Sequence, residues 1–251
     1  MRRTLCAVVA ALLCGSALPA GAQQGFLFER PVFQVTLRGG PTVPRAESDI
    51  FDFLTTELTL ERDDFRTPSF GFDLAALVGE RVDIVVGASW AEARNRSEFR
   101  DWIGGDGEPI SQNTRLMTMP VGVTLRYHPI RRGRHVADYA WLPARVSPYI
   151  GGGAGFTWYR LEQDGEFLDA TACRNDPDTG CDIFLNTYES SDVAQTLHAV
   201  AGVEYWLLPR VGVSIEARYT RGDAALSHQF RNWERIDLTN FEAGVGLSFR
   251  W

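Results

Sequence analysis

Alternation with a period of two is the feature that most constrains this chain. From residue 31 onward one unit recurs: a run in which apolar and polar side chains alternate, followed by a tight turn or a polar loop. Such a run is a strand with one apolar and one polar face. Eight of them are legible, near 31–40, 68–79, 82–92, 114–128, 146–160, 193–207, 211–221 and from 238 to the end. Their apolar faces read Phe33, Val35 and Leu37 in the first, Phe70, Phe72 and Leu74 in the second, Val211, Val213 and Ile215 in the seventh. No linker-like composition divides residues 23–251, so one antiparallel all-β domain is expected.

The connections alternate in length. Those at 79–81 and 208–210 are short; those at 41–67, 93–113, 161–192 and 222–237 are long. Transmembrane barrels are built in this way, with long outer loops, short periplasmic turns and both termini in the periplasm. One connection departs from the pattern: 129–145 is long and rich in arginine, with Arg131, Arg132, Arg134 and Arg145, and either holds a short helix or extends the wall. The expected fold is an antiparallel up-and-down transmembrane β-barrel of about eight strands.

The polar faces are charged in mid-strand. Arg38, Asp73, Asp83, Arg126, Glu204, Glu216, Arg218, Glu242 and Arg250 all stand opposite apolar neighbours, and His198 shares the face of Glu204. Acids and arginines suit a polar lumen, where they pair by charge-assisted hydrogen bonds. A soluble barrel that turns its apolar face inward would show the same alternation. The aromatic residues favour the membrane: Trp90, Trp158 and Tyr219 fall near the outer strand ends, and Tyr127, Tyr205 and Trp251 near the inner ends, as in two interfacial girdles.

The first two dozen residues set the compartment. Arg2 and Arg3 precede an apolar stretch from Leu5 to Leu13, too short to span a bilayer, and Pro19-Ala20-Gly21-Ala22 supplies small residues. This is the layout of a Sec-type signal peptide, residues 1–22, with cleavage expected before Gln23. Leu13 stands where a lipoprotein box would place a small residue before Cys14. The mature chain keeps Cys173 and Cys181, which in an oxidising periplasm read as a loop disulfide. They have no ligand spacing for a metal, and no cofactor motif is present.

The last strand, Phe241-Glu242-Ala243-Gly244-Val245-Gly246-Leu247-Ser248-Phe249-Arg250-Trp251, resembles the assembly signal of outer-membrane proteins. Its carriers would be Phe241, Val245, Leu247, Phe249 and Trp251, and the resemblance implies the barrel-assembly machinery as a partner during biogenesis. Met119-Pro120-Val121-Gly122-Val123-Thr124-Leu125-Arg126-Tyr127 and Pro148-Tyr149-Ile150-Gly151-Gly152-Gly153-Ala154-Gly155-Phe156 look like strands of the small outer-membrane barrels, the OmpA-like and OmpW-like groups. The resemblance spans about residues 26–251 at the level of pattern. It implies an integral outer-membrane protein in contact with lipid and lipopolysaccharide. OmpA proper carries a peptidoglycan-binding domain after its barrel; the sequence shows no such segment after its last strand, so a wall-tethering role is not expected.

The formal net charge is -7, every basic residue being arginine, and loss of Arg2 and Arg3 with the leader makes it -9. An acidic chain without a basic stripe is a poor candidate for nucleic-acid binding, and no nucleic-acid partner is expected. Acids crowd the loops, from Glu47 to Asp64 in the first and from Asp164 to Asp182 in the third; they are expected to be solvated. His228, with Asp223 and Ser227 nearby, is the one set that sketches a hydrolase or acyltransferase site. Polar loops contain such residues routinely, and no catalytic residue is assigned. A structural or surface-interaction role is therefore expected. The rival readings are a narrow channel for small or apolar solutes, a lipid-modifying enzyme and a soluble ligand-binding barrel.

Overall fold

The computed structural model describes residues 26–103, 108–137, 140–168, 183–231, 233 and 235–251. The leader, Cys173 and Cys181 lie outside them. Among them are eleven strands: β1 (Phe33–Pro44), β2 (Thr67–Val78), β3 (Val82–Ile103), β4 (Pro109–Tyr127), β5 (Gly133–Ala137), β6 (Ala140–Pro143), β7 (Val146–Leu168), β8 (Ile183–Trp206), β9 (Val211–Ala225), β10 (Arg235–Asp237) and β11 (Asn240–Arg250), counted over the described residues. A helix α1 (Asp49–Glu57) lies between β1 and β2.

Eight strands pair in the order β1-β2-β3-β4-β7-β8-β9-β11, and β11 returns to β1. All these pairings are antiparallel. Closure leaves no free edge along the body of the sheet, which is how a β structure satisfies its backbone in lipid. The last residue takes part in the closure: the Trp251 carbonyl accepts from the amides of Val32 and Phe33, at 2.8 and 3.1 Å.

Alternation sorts the side chains as expected. Leu37, Phe72, Leu74, Val86, Val123, Ile150, Leu197, Ile215 and Val245 face outward around the ring, while Thr36, Asp73, Thr124, Arg126, Ser214 and Glu216 are buried inside. The short turns work for local reasons. Gly79 adopts a positive φ of 76°, which a residue with a Cβ rarely does. At the other turn the Leu208 amide donates to the Val211 carbonyl at 3.0 Å. In β7, a Cβ on Gly153 would collide with the Val123 carbonyl and lie 2.6 Å from the His198 ring. The glycines there let β7 close against β4.

Strand length differs from expectation. β3, β4, β7 and β8 run well past the apolar band, through most of what reads as loop at 93–113 and 161–192. The extensions carry polar residues on both faces, with apolar ones such as Ile110, Leu161 and Leu185 scattered among them, so period two fades from the sequence. Cross-strand polar pairs stabilise them instead: the Arg115 Nε donates to Glu92 at 2.8 Å, Arg160 Nε to Glu189 at 2.8 Å, and the Thr187 hydroxyl to Asp164 at 2.6 Å.

Both ends of the ring are stoppered. At the loop end, the first connection is only half solvated. Ile50, Phe51 and Leu54 on α1, then Leu58, Leu60 and Phe65, are buried in one cluster. They pack with the inward-facing Leu116, Tyr159, Leu161, Ala194 and Ala224 and with Phe230, Ile236 and Leu238 of the last connection. Each such side chain contributes about 1.5–3 kcal/mol on burial. The acids Asp49, Asp52, Glu61, Asp63 and Asp64 occupy the exposed face of the same segment. At the turn end, the described residues of 129–145 form neither a helix nor an extension of the wall. They fold into a separate hairpin, β5 with β6, whose Trp141 is buried and bridges to Leu27.

Candidate functional site in the barrel lumen

Strand register, read from the turn end upward, sets the order of the inward side chains. The lowest layer is an aromatic and cationic stopper. The Arg250 guanidinium lies 3.5 Å over the Trp206 ring and 5.2 Å from that of Trp141, and its Nε donates to the Pro209 carbonyl at 2.9 Å. Arg250 therefore meets π faces and a carbonyl, and no carboxylate among the described residues lies within ion-pair distance of it.

Beside this layer Asp83 accepts from His128 at 2.8 Å and pairs with Arg132. Glu204 accepts from the Gln34 amide at 2.6 Å. His198, expected beside Glu204, is instead held by the Thr124 hydroxyl at 2.7 Å. The reason is register: His198 and Glu204 are six residues apart on β8, opposite Gly153 and Ser147 respectively.

The middle layer brings together most of the remaining charges. Arg126, on β4, reaches Asp73 at 2.9 Å and Glu216 at 2.8 Å. Arg218 lies 2.9 Å from Glu216 and 3.8 Å from Asp73. Arg38 lies 3.4 Å from Asp73 and pairs with Glu242. The Tyr149 hydroxyl donates to Glu216 at 2.8 Å, and the Arg126 guanidinium stands 4.8 Å over the Tyr149 ring. Three arginines thus meet three carboxylates across strands β1, β2, β4, β9 and β11. The free space among them is about 10 Å3, roughly one water molecule. Buried charges of this kind persist only when each is paired and hydrogen-bonded.

Tyr149, Gln34, His128 and Arg132 belong to these layers, although the sequence does not plainly mark them as lumen residues. Tyr149 has a legible signal: it is the inward member of the Pro148-Tyr149-Ile150 run, directly before the inward glycines Gly151, Gly153 and Gly155.

Above the apolar band, Glu92 bridges Arg115 and Arg94. Burial raises the affinity of its carboxyl for a proton, but the two guanidinium groups outweigh this and hold it below the usual carboxylate range. The suspected catalytic set does not assemble. Asp223 pairs with Arg235, the Ser227 hydroxyl donates to the Glu189 carbonyl at 2.8 Å, and His228 is exposed. Among the described residues no group of three metal-ligating side chains is present.

The family model described as "Outer membrane protein beta-barrel domain" matches residues 8–249. No curated protein matches the sequence. Among solved structures, the Neisserial surface protein A barrel aligns with a TM-score of 0.50 at 11% identity, over 87% of this chain and 97% of that one. OprG from Pseudomonas aeruginosa aligns at 0.44 and 12% identity, over 90% and 100%. The attachment invasion locus protein Ail of Yersinia pestis aligns at 0.39 and 11% identity, over 86% and 98%. At such identities the first likeness concerns the fold alone.

Proposed function

This chain belongs to the outer membrane protein β-barrel domain family, and from that premise we propose that it serves a structural and surface-interaction role rather than a diffusive one. It is an integral outer-membrane β-barrel. Its outer loops are the surface that other molecules meet, and its lumen is filled by its own side chains.

The middle layer carries this reading. Arg126, Asp73 and Glu216 are at most 8% exposed at their side chains, and the space beside them holds about one water. Eight-stranded barrels have interiors just wide enough for side chains to fill. A solute crossing here would have to separate several buried ion pairs, and the Phe51 and Trp141 stoppers lie in series with them. The plug also supports the surface role, because it fixes α1 with its acidic face, Asp49 and Asp52, turned outward.

Planar-bilayer recording tests the claim. The mature chain is expected to insert without stable unitary conductance at neutral pH. A stable open channel whose current changes in Glu216→Gln or Arg218→Gln would replace this reading with that of a narrow channel.

A further inference from the structure

The turn end of the barrel carries a surface that neither the lumen nor the loops account for. We propose that its rim, centred on the hairpin β5–β6, docks on the anionic phospholipid headgroups of the inner leaflet of the outer membrane. The inference rests on the reading of the chain as a membrane barrel with its short turns in the periplasm.

The hairpin is amphipathic in an unusual sense. Register places His135 opposite Trp141 and Arg134 opposite Leu142. Trp141 lies buried against the barrel, so Arg134, Leu142 and Val136 turn away from it, and Val136 is 64% exposed. Ile130 at 55% and Leu208 at 61% extend this apolar surface along the rim. A five-residue strand paired with a four-residue one is marginal in water by itself. An apolar outer face would weaken it further unless that face meets something apolar.

The charges identify what it meets. Arg134, Arg145 and Arg210 are exposed, with no carboxylate within ion-pair distance among the described residues. Of the described acids on the rim, Glu80 already pairs with Arg131 at 3.3 Å, and Glu29 stands on the N-terminal segment. Tyr127, Tyr205 and Trp251 are exposed just above, at the ends of β4, β8 and β11, where an aromatic girdle marks the headgroup level. Arginine stems can lie along apolar surface while their guanidinium forks reach phosphate oxygens. The opposite end of the molecule turns Asp49, Asp52 and Glu61 outward from α1 and the segment after it.

The test is electron paramagnetic resonance of spin-labelled phosphatidylglycerol and phosphatidylcholine around the full mature chain in vesicles. The protein is expected to prefer phosphatidylglycerol by about five-fold or more, the factor associated with one arginine at an anionic membrane surface. Raising the salt should erode that preference. The triple variant Arg134→Gln, Arg145→Gln, Arg210→Gln should bring it close to unity. Equal association of the two lipids with the wild-type protein, or an unchanged preference in the triple variant, overturns the proposal. The salt series on the wild type needs no variant, so it decides the matter even where the triple variant folds poorly. Gel mobility with and without boiling reports barrel formation separately, which distinguishes failure of this inference from failure of the membrane reading.

Discussion

Replacing Arg126 with alanine is expected to destabilise the barrel by about 3–5 kcal/mol, the range for breaking a buried ion pair from one side. The guanidinium bridges Asp73 and Glu216 from β4 and is 3% exposed. Its removal leaves Asp73 with Arg38 at 3.4 Å and Arg218 at 3.8 Å, and Glu216 with Arg218 and Tyr149. Two carboxylates then share fewer cations in a space that admits little water. Urea unfolding of the refolded protein in vesicles measures the loss. The control is Arg62→Ala, whose pair with Asp52 is half exposed at both ends and is worth about 0–1 kcal/mol. If Arg126→Ala costs no more than Arg62→Ala, the layer is solvated and the description of a closed lumen is wrong.

The second large effect is at the other end. Phe51 is fully buried and meets Phe65 edge-on at 5.0 Å between ring centres. Truncating a buried phenylalanine to alanine costs about 3–5 kcal/mol. Most of that cost should fall on docking of the 45–66 segment, since the barrel ladders close without it. Trypsin cutting at Arg62 or Arg66 reports this local opening. In the regime where opening is fast relative to cleavage, the rate follows the open population, so Phe51→Ala should raise it by about two to three orders of magnitude. Phe53→Ala, which removes a half-buried ring tilted against Trp233, should raise it far less. Equal rates in wild type and Phe51→Ala would mean that the segment is not docked in solution.

Legibility of the fold followed the environment. Where one face meets lipid and the other a polar interior, each strand keeps period two, and 211–221 marks most of β9. Beyond the membrane band polar residues stand on both faces and apolar ones recur irregularly, so the outer thirds of β3, β4, β7 and β8 carry no periodic signal. The plug was hidden by composition: Asp49, Asp52 and Glu57 make the segment read as a solvated loop. The signal was available at another period, because Ile50, Phe51, Leu54 and Leu58 recur at the spacing of one helical face. The turn-end hairpin was hidden by its arginines and by its brevity.

For the lumen, alternation identifies which side chains point inward but not how they pair. Asp83, Asp73 and Glu216 share a face by period, yet Asp83 serves a lower layer with His128 because it lies at the turn-end start of β3. Arg250 reads as one more lumen cation; its partners Trp206 and Trp141 come from a strand end and from a hairpin that period two does not register.

The most direct measurement is electrophoresis of the outer-membrane fraction of expressing cells in SDS, with and without boiling. A closed, lipid-facing barrel is expected in that fraction as a band whose mobility shifts on boiling, because the ring resists detergent until it is heated. A soluble periplasmic protein showing one mobility under both conditions would contradict the account: Leu37, Phe72, Ile215 and Val245 would then have to pack inward, and the charged residues now assigned to the lumen would have to face water.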